Sequence, residues 1–297
     1  MSFTASDVKK LREMTGAGMM ACKKALTESE GNVEAAVDHL RKKGLAAAKK
    51  KQSRIAAEGA VVTATEGNKA VVVEVNCETD FVSKGDDFQN FATQIANDIL
   101  KEGYADIAAL KTAKEEIVNE LTLKIGEKID LRRFEAQETT GAFGTYNHGG
   151  RIGVIVNVET AGDKSSAEFQ ELLKDLAMHV AAADPKFVSA NDIDEDFKNK
   201  EAEIYRGQLK EEGKPENMIE KIVLGKLNKL ASEVCLLEQK FIKNPDFTIK
   251  KLIEEVGGKT GGAITLKAFS KFNLGEGIEK KEDNLADEVA KMTAGSN

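Results

Sequence analysis

Residues 59–100 read GAVVTATEGNKAVVVEVNCETDFVSKGDDFQNFATQIANDIL and contain the clearest structural pattern of the chain. The first part is rich in β-branched residues on either side of Glu66-Gly67-Asn68, which is typical of a β-hairpin. The second part has apolar residues at helical spacing and predicts an amphipathic helix. The residues on its apolar face are Phe88, Phe91, Ile95 and Ile99. A helical stretch over residues 107–125 and a strand over residues 129–134 complete a predicted α+β unit.

A second copy of this unit begins 81 positions later in the chain. Residues 75–79, VNCET, align with residues 156–160, VNVET. In the same register, the apolar face of the helix aligns with Phe169, Leu172, Leu176 and Val180. Two matches in one register indicate an internal duplication. They predict a core of two similar hairpin-plus-helix subdomains, at residues 55–140 and 141–275.

The first 54 residues are predicted to form a separate unit. Apolar residues at helical spacing predict three short helices within residues 6–43, with breaks at Gly16, Gly18 and Gly31. So small a bundle has a marginal core, and its exposed apolar residues are better placed against a partner than in water. Residues 41–54, RKKGLAAAKKKQSR, carry seven basic residues and no acidic one. We interpret this run as a helical or flexible linker.

Two further segments are predicted within and after the second subdomain. An antiparallel helical hairpin of the coiled-coil type is expected as an insert at about residues 190–230. Its expected seam consists of Phe197, Ile204, Leu209, Met218, Ile222, Val223 and Leu227. The sheet pattern resumes weakly over residues 234–241 and more strongly over residues 264–269. Residues 276–297 are predicted to form a C-terminal module, with an amphipathic helix that reaches about residue 292.

The composition indicates a soluble globular protein with more than one domain. The chain has 297 residues, against about 150 per domain, and 41% of them are hydrophobic. It lacks a run of roughly 18 apolar residues, which excludes a membrane span, and its first residues lack the pattern of a secretory signal. We therefore expect a cytoplasmic protein. The net charge of −7 argues against nucleic acid as the main ligand.

The common catalytic and metal-binding patterns are missing from the sequence. Cys22, Cys77 and Cys235 stand more than fifty positions apart, which excludes a CxxC pair and a zinc knuckle and favours buried, reduced thiols. There are only 3 histidines, so general bases and metal ligands are scarce. A phosphate-binding loop, a nucleophile elbow and an HExxH motif are absent from the sequence. We expect neither an enzyme nor a bound metal or cofactor.

Two histidines call for separate interpretations. His179 lies on the helix that begins near Phe169 and is expected to be a satisfied core or rim residue. His148, within residues 146–150 (YNHGG), is expected in a hairpin turn, either as a solvated side chain or as a partner contact.

Residues 16–21, GAGMMA, fit the GxGxxA pattern of dinucleotide-binding loops. That pattern requires a preceding strand, whereas here a predicted helix precedes it, so two glycines of a tight turn between helices explain it better. The turn accounts for the glycines but does not explain Met19 and Met20. Adjacent side chains on a helix point about 100° apart, so both cannot be core, and one of the two is expected to face outward as a contact surface.

The corner between the second strand and the helix, at Thr79-Asp80-Phe81-Val82, is the most informative site. The duplicated half has Thr160-Ala161-Gly162-Asp163 at the matching positions. The threonine is therefore repeated, while Asp80 and Phe81 have no counterpart. Since the second half makes this corner without an aromatic residue, the fold does not need Phe81. We therefore expect Phe81 to contact a partner protein. The alternative is a local hydrophobic plug.

Three motifs together resemble the bacterial elongation factor Ts family. They are LREMTGAGMMACKKAL at residues 11–26, VEVNCETDFVSK at residues 73–84 and HGGRIGVIV at residues 148–156. The resemblance covers essentially the whole chain, including the hairpin insert and GEGIEK at residues 275–280. It implies an N-terminal three-helix domain like the ubiquitin-associated domain, a two-part α+β core, a coiled-coil hairpin and a C-terminal module. It also implies a guanine-nucleotide exchange factor that releases GDP from elongation factor Tu.

The same resemblance implies roles for individual residues. Asp80 and Phe81, within the Thr79–Val82 motif, would enter the GTPase domain of the partner near its magnesium ion, with the aromatic ring as a wedge. The residues matching an N-terminal grip on that domain are Arg12, Met19 and Met20. The core positions linked to the interface are Ile125 and His148. The family needs no metal or cofactor of its own.

Three other functions are alternatives to this one. A nucleic-acid binder would use the basic run 41–54, but that run is short and contains no aromatic residue. An enzyme acting on a small molecule would need a polar pocket that no motif indicates. A scaffold that associates with itself through the helical hairpin is the more credible alternative.

Overall fold

A computed structural model describes residues 3–279 of the chain. The described part combines helices with small antiparallel sheets, which confirms the predicted α+β class. The predicted C-terminal module comprises residues 276–297. Its residues 280–297 lie outside the described residues. The division of the chain into four units stays a prediction.

The elements follow one another as two similar halves after an N-terminal group of helices. The helices are α1 (Ala5–Thr15), α2 (Met19–Glu28), α3 (Val33–Lys51), α4 (Asp80–Ser83), α5 (Asp86–Glu102), α6 (Ile107–Ala113), α7 (Glu115–Ile125), α8 (Ala167–Ala183), α9 (Glu195–Glu211), α10 (Glu216–Val234) and α11 (Ile249–Thr260). The strands are β1 (Glu58–Glu66), β2 (Lys69–Cys77), β3 (Asp130–Glu138), β4 (Ala142–His148), β5 (Ile152–Thr160), β6 (Lys240–Phe241), β7 (Asn244–Thr248) and β8 (Ile264–Asn273).

The three N-terminal helices are separated at the breaks that the sequence predicts, near Gly16, Gly18 and Gly31. At the start of α1, the Thr4 hydroxyl accepts a hydrogen bond from the Asp7 amide at 3.3 Å, and the Asp7 carboxylate accepts one from the Thr4 amide at 2.7 Å. Helix α1 ends at Gly16, whose φ of 65° is a left-handed conformation that favours glycine. The helices enclose a small core, which contains Val8, Leu11, Cys22, Ala25, Leu26, Ala36 and Leu40.

Helix α3 is longer than predicted and includes most of the basic run. It continues to Lys51, so the helical interpretation of that run holds up to this residue. The helix crosses α7 at Gly44, where a Cβ would lie 3.3 Å from the Asn119 carbonyl oxygen. Arg41 forms an ion pair with Glu116 of α7 at 2.8 Å. Part of the positive charge of residues 41–54 is therefore paired with an acidic side chain of the same protein.

The first half has the predicted hairpin and helix. Strands β1 and β2 pair antiparallel around residues 67–68, and β3 pairs with the other edge of β2. Helix α5 covers one face of this sheet. Its Phe88 and Ile95 are fully buried against the β2 valines. The helix repeats every 3.6 residues and the strand every two residues, so each pattern directs its apolar side chains to one face.

The second half repeats this arrangement. Its strand order, β4-β5-β8, corresponds to β1-β2-β3, and both sheets are antiparallel. Helix α8 spans Ala167–Ala183 and lies 81 positions after α5, which spans Asp86–Glu102. Phe169, like Phe88, is fully buried beneath its sheet. The described residues thus contain a hairpin and a following helix in each half, in the order of the predicted repeat.

The two sheets pack against each other through a third apolar cluster. This cluster contains Val61, Ala70, Val72, Ile155 and Phe272. Gly153 of β5 permits the close approach, since a Cβ there would lie 2.5 Å from Cγ1 of Val61. The two halves therefore form one continuous body.

A buried carboxylate ties the end of β8 to the first sheet. Glu74 of β2 is fully buried and accepts hydrogen bonds from Arg132 at 2.8 Å and from Arg133 at 2.6 Å. It also accepts one from the Gly275 amide at 2.8 Å. These contacts lower the pKa of Glu74 although burial acts in the opposite direction. A charge at this depth is tolerated because each oxygen has several donors.

The inserted hairpin is formed by α9 and α10, but its predicted seam is partly wrong. Leu209, Val223, Ile222 and Leu227 lie between the helices together with Ala202, Tyr205 and Ile219. Ile204 and Met218 are instead half exposed on the flanks. Ala202, Tyr205 and Leu209 are spaced by three and four residues and therefore lie on one face of α9, whereas Ile204 does not share that spacing. Phe197 packs edge-on against Phe187 of the body, with 5.0 Å between ring centroids.

The region after the hairpin differs from the prediction. Residues 234–241 do not resume the core sheet: they form the end of α10, a short 3-10 turn and the two-residue strand β6, which pairs with β7. The amphipathic helix α11, with Ile249 and Ile253 buried, was not predicted. The strand predicted over residues 264–269 is present as β8, which continues to Asn273.

His179 is a satisfied core residue, as expected. It is fully buried on α8, with Nε2 lying 3.0 Å from the Gln239 side-chain oxygen, and Nδ1 accepts a hydrogen bond from the Ile242 amide at 3.4 Å. These partners assign a neutral ring protonated at Nε2. Burial lowers the pKa of His179 below its ordinary value of 6.5.

We expect the stability of the protein to fall as the pH decreases from 7 to 5.5. The pKa of folded His179 lies below the unfolded value of 6.5, so the unfolded chain takes up a proton first and is favoured, by at most about 1.4 kcal/mol per pH unit. Urea unfolding of wild type and His179→Gln at several pH values measures the effect. The variant should lose this slope and a His148→Gln control should retain it; equal slopes for all three proteins would contradict the assignment.

Candidate functional site

The corner between β2 and α5 exposes a single large aromatic side chain. Phe81, in the short helix α4, is 85% exposed, so the interpretation of a local hydrophobic plug is wrong. Thr79 caps this turn, because its hydroxyl accepts a hydrogen bond from the Val82 amide at 3.4 Å. Asp80 binds Lys84 at 2.7 Å, and this hydrogen bond lowers the pKa of Asp80. The corner thus presents an apolar ring beside a carboxylate.

The backbone of this corner is held by a residue that the sequence analysis did not single out. Oε2 of Glu127 accepts hydrogen bonds from the amides of Glu78 at 3.1 Å and Thr79 at 3.0 Å. Its Oε1 accepts one from the Thr79 hydroxyl at 2.7 Å. Glu127 follows Gly126, which ends α7 in the left-handed conformation at φ 86°. The only sequence feature that marks it is a carboxylate directly after a helix-ending glycine.

The end of α3 supports the loop that carries Glu127. Lys51 donates a hydrogen bond to the Gly126 carbonyl, and Lys128 donates to the carbonyls of Gln52 and Arg54, both at 2.9 Å. Partial burial, and then the neighbouring Arg54, lower the pKa of Lys51. The N-terminal helices are therefore connected to the corner through α3 and residues 126–128.

A second exposed patch lies on the N-terminal helices. Met19 and Met20 are 51% and 75% exposed at the start of α2, directly after Gly18. The sequence predicts that one of the two methionines faces outward, whereas in the structure both side chains face solvent. Arg12 of α1 is also exposed. Flexible thioether side chains adapt to an irregular partner surface, and a guanidinium provides fixed hydrogen-bond donors.

Ile125 and His148 occupy different environments. Ile125 is half-buried, packs against the first core and directly precedes Gly126 and Glu127. His148 is exposed and is the last residue of β4, so it lies just before the turn at residues 149–150 and not within it. Its ring stacks on Tyr146, with Nδ1 3.0 Å from the Tyr146 hydroxyl.

The fold brings most of the predicted site residues to one region. A Cβ at Gly16 would lie 3.3 Å from Cδ of Lys124, which places the turn before Met19 against the end of α7. Ile125 lies at that same end, and the Thr79 corner is bound to the next loop through Glu127. His148 is not part of this group. It lies on the second half, where the Gly150 carbonyl accepts a hydrogen bond from the Val61 amide of β1 at 2.7 Å.

Within residues 3–279, potential metal ligands and the two cysteines with raised pKa values do not add to this site. Among residues 3–279 there is no group of three or more His, Cys, Asp or Glu side chains that could hold a metal ion. Burial raises the pKa of Cys77 to about 12 and that of Cys235 to about 11, so both thiols remain protonated. A cleft of about 460 Å³ between α1, α3 and α7 has mainly aliphatic walls, from Leu40, Leu45 and Leu123.

None of the helices within residues 3–279 has both the length and the apolar character needed to cross a membrane.

Comparison with known proteins identifies the family. A sequence profile described as "Elongation factor TS" matches residues 78–276, which include the corner, strand β3, the second sheet and the α9–α10 hairpin. A protein named "Elongation factor Ts" from Clostridium novyi (strain NT) is 50% identical, over 97% of this chain and 98% of its own length. A protein of the same name from Clostridioides difficile (strain 630) is 49% identical, over 98% of this chain and 99% of its own length. Another from Syntrophotalea carbinolica is 47% identical, over 99% of this chain and 100% of its own length. These matches cover nearly the full length of each chain, and this chain therefore belongs to the elongation factor Ts family.

Proposed function

We propose that this protein is a guanine-nucleotide exchange factor of translation elongation, which binds elongation factor Tu in its GDP form and promotes the release of GDP. Membership of the elongation factor Ts family supports the partner and the process. The observation that carries the proposal is Phe81, an aromatic side chain that is 85% exposed on an anchored turn. A folded protein gains nothing from such exposure, whereas a partner that buries the ring gains binding energy.

In this proposal Asp80 and Phe81 enter the GTPase near its magnesium ion. The magnesium ion neutralises phosphate charge, so a ring wedged between the elements that hold the ion weakens the retention of GDP. Lys84 and the carboxylate of Asp80 form an ion pair at 2.7 Å in the free protein. On binding, that carboxylate becomes available to a partner donor. Thr79 and Val82 fix the turn on which both residues stand.

The other predicted contacts serve affinity and orientation. Arg12, Met19 and Met20 form an exposed patch suited to gripping the same GTPase domain. His148 offers an exposed ring on the second half, and Ile125 supports the loop beneath the corner. Several separate contact regions allow the factor to stay bound while one of them distorts the nucleotide site.

The thermodynamics of exchange follow from linkage. If the factor binds nucleotide-free elongation factor Tu more tightly than the GDP form, it weakens GDP binding by the same ratio. The factor accelerates release and rebinding alike, so the cellular concentrations of GTP and GDP determine which nucleotide enters. This role requires no active site, metal or cofactor of the factor itself, and we assign it to the cytoplasm, without contacts to nucleic acid or membrane.

Stopped-flow fluorescence tests the proposal directly. Elongation factor Tu loaded with fluorescent GDP is mixed with excess unlabelled GDP, with and without this protein. We expect the release rate to rise with protein concentration and to reach a plateau at least tenfold above the spontaneous rate, a barrier lower by about 1.4 kcal/mol. An inert protein at equal concentration is the control.

The same experiment distinguishes the remaining alternatives. If the two proteins bind but release is unchanged, exchange is wrong for this pair, and a scaffold that associates through the α9–α10 hairpin becomes the better interpretation. Sedimentation of the free protein then measures that self-association. Binding of fluorescent GDP to the isolated protein would instead indicate a nucleotide site of its own.

A further inference from the structure

The two halves of the core differ in how the strand-to-helix corner contacts the neighbouring loop. In each half, a helix ends at a glycine in the left-handed conformation and the chain then enters the third strand of the sheet. These glycines are Gly126, with φ 86° at the end of α7, and Gly261, with φ 76° at the end of α11. The loops that follow them, residues 126–129 and 261–263, occupy corresponding places in the duplicated fold.

In the second half, the corner and the loop meet backbone to backbone. The Asp163 amide donates a hydrogen bond to the Thr260 carbonyl at 3.0 Å. A Cβ at Gly262 would lie 2.2 Å from the amide nitrogen of Gly162, and a Cβ at Gly162 would lie 2.6 Å from the Thr260 carbonyl oxygen. Two glycines are therefore required at this contact, and no side chain fits between corner and loop.

In the first half, the Glu127 side chain lies between corner and loop. The carboxylate accepts three hydrogen bonds, from the amides of Glu78 and Thr79 and from the Thr79 hydroxyl, at 2.7–3.1 Å. Because the second half closes the same corner without a carboxylate, the topology of the fold does not require one. The acidic side chain is present only in the half that carries the exposed aromatic ring.

The contact to the Thr79 hydroxyl has a direct consequence for Phe81. With its proton directed to Glu127, this hydroxyl presents a lone pair to the Val82 amide at 3.4 Å. Thr79 is the N-cap of the turn on which Asp80 and Phe81 stand, and a cap of this kind fixes the direction in which a turn leaves the preceding strand. Glu127 itself is half-buried and lies behind the turn.

We propose that Glu127 is a positioning residue for nucleotide exchange, which holds Thr79 so that Asp80 and Phe81 are presented in one fixed orientation. The inference rests on the exchange function proposed above. Glu127 acts through Thr79 and not through contact with the partner. Its loss therefore lowers the maximal rate of GDP release more than it weakens binding, since the patch around Met19 and Met20 is unchanged.

Two variants and one control test this role. Glu127→Ala removes all three hydrogen bonds, whereas Glu127→Gln retains an oxygen for the two amides and an amide group that can donate to the Thr79 hydroxyl. Glu120→Ala is the matched control, because it removes the same charge from an exposed position on the preceding helix. Thermal unfolding monitored by circular dichroism verifies that all three proteins are folded.

The first readout is hydrogen–deuterium exchange of the free proteins. We expect the amides of residues 78–84 to exchange at least tenfold faster in Glu127→Ala than in wild type, and within threefold of wild type in Glu127→Gln. The corresponding residues 159–165 should be unaffected in every protein. Unchanged protection of residues 78–84 in Glu127→Ala would overturn the proposal.

The second readout is stopped-flow GDP release at increasing factor concentration. We expect Glu127→Ala to reduce the plateau rate about five- to tenfold, with less than a threefold change in the half-saturating concentration. The plateau rates of Glu127→Gln and Glu120→Ala should remain within threefold of wild type. A full plateau rate for Glu127→Ala overturns the positioning role while the exchange function stands. If wild type itself fails to accelerate release, the exchange function fails and this inference fails with it.

Discussion

Phe81→Ala is expected to slow factor-stimulated GDP release about 30-fold, which corresponds to about 2 kcal/mol. The ring is 85% exposed in the free protein and belongs to none of its apolar clusters within residues 3–279. Its removal should therefore change the free energy of unfolding by less than about 0.5 kcal/mol, as for other surface substitutions. The full effect should appear in the complex, where the partner buries the ring.

Stopped-flow release at saturating factor measures the effect, and urea unfolding verifies the stability. Ile242→Ala is a suitable control, because it shortens another exposed apolar side chain that lies far from the corner in sequence. Phe81→Leu retains apolar volume without the planar ring and should give an intermediate rate. A release rate for Phe81→Ala within threefold of wild type would rule out the aromatic wedge.

Phe88→Ala and Phe169→Ala are each expected to lower the free energy of unfolding by about 3–5 kcal/mol. The two rings are fully buried, and each lies under the sheet of its own half. Truncation removes the transfer free energy of the ring and leaves a cavity that the closely packed helix and sheet cannot fill. Because the two positions correspond in the duplication, similar losses are expected from both.

Urea unfolding followed by circular dichroism measures both variants. Phe81→Ala makes the same chemical change at an exposed position and serves as the matched control. A loss below about 1.5 kcal/mol at either buried position would mean that the surrounding core relaxes into the cavity, contrary to the packing described above.

The elements that the sequence predicts well are those whose pattern follows from burial on one face. The β2 valines and the spacing of Phe88 and Ile95 identify a strand and a helix without any knowledge of their neighbours. Alignment of the two halves also predicts the exposure of Phe81, because the matching position has no aromatic residue. The contact made by this ring in a complex stays a prediction.

Other features depend on contacts between distant segments and were not predictable. Glu127 and Thr79 are 48 positions apart, and no local pattern connects a carboxylate after a glycine with the cap of another helix. The hairpin seam includes Ala202, which a search for large apolar residues passes over in favour of Ile204. Helix α11 contains two glycines near its end, Gly257 and Gly258, which weaken the helical pattern of its sequence.

The place of the helical insert has a consequence for the order in which the chain folds during synthesis. The first sheet is complete when β3 ends at Glu138, whereas the second lacks its third strand until β8, which begins at Ile264. At roughly 5–20 residues per second, a ribosome makes the intervening chain in about 6–25 s. Once Thr160 completes β5, the β4–β5 hairpin has an unpaired edge for the rest of that interval, and Val61 and Val72 of the finished sheet lack Phe272 as a neighbour. The nascent chain therefore passes through a stage with a completed first half and an open second half, at which a chaperone or a second nascent chain finds an accessible strand.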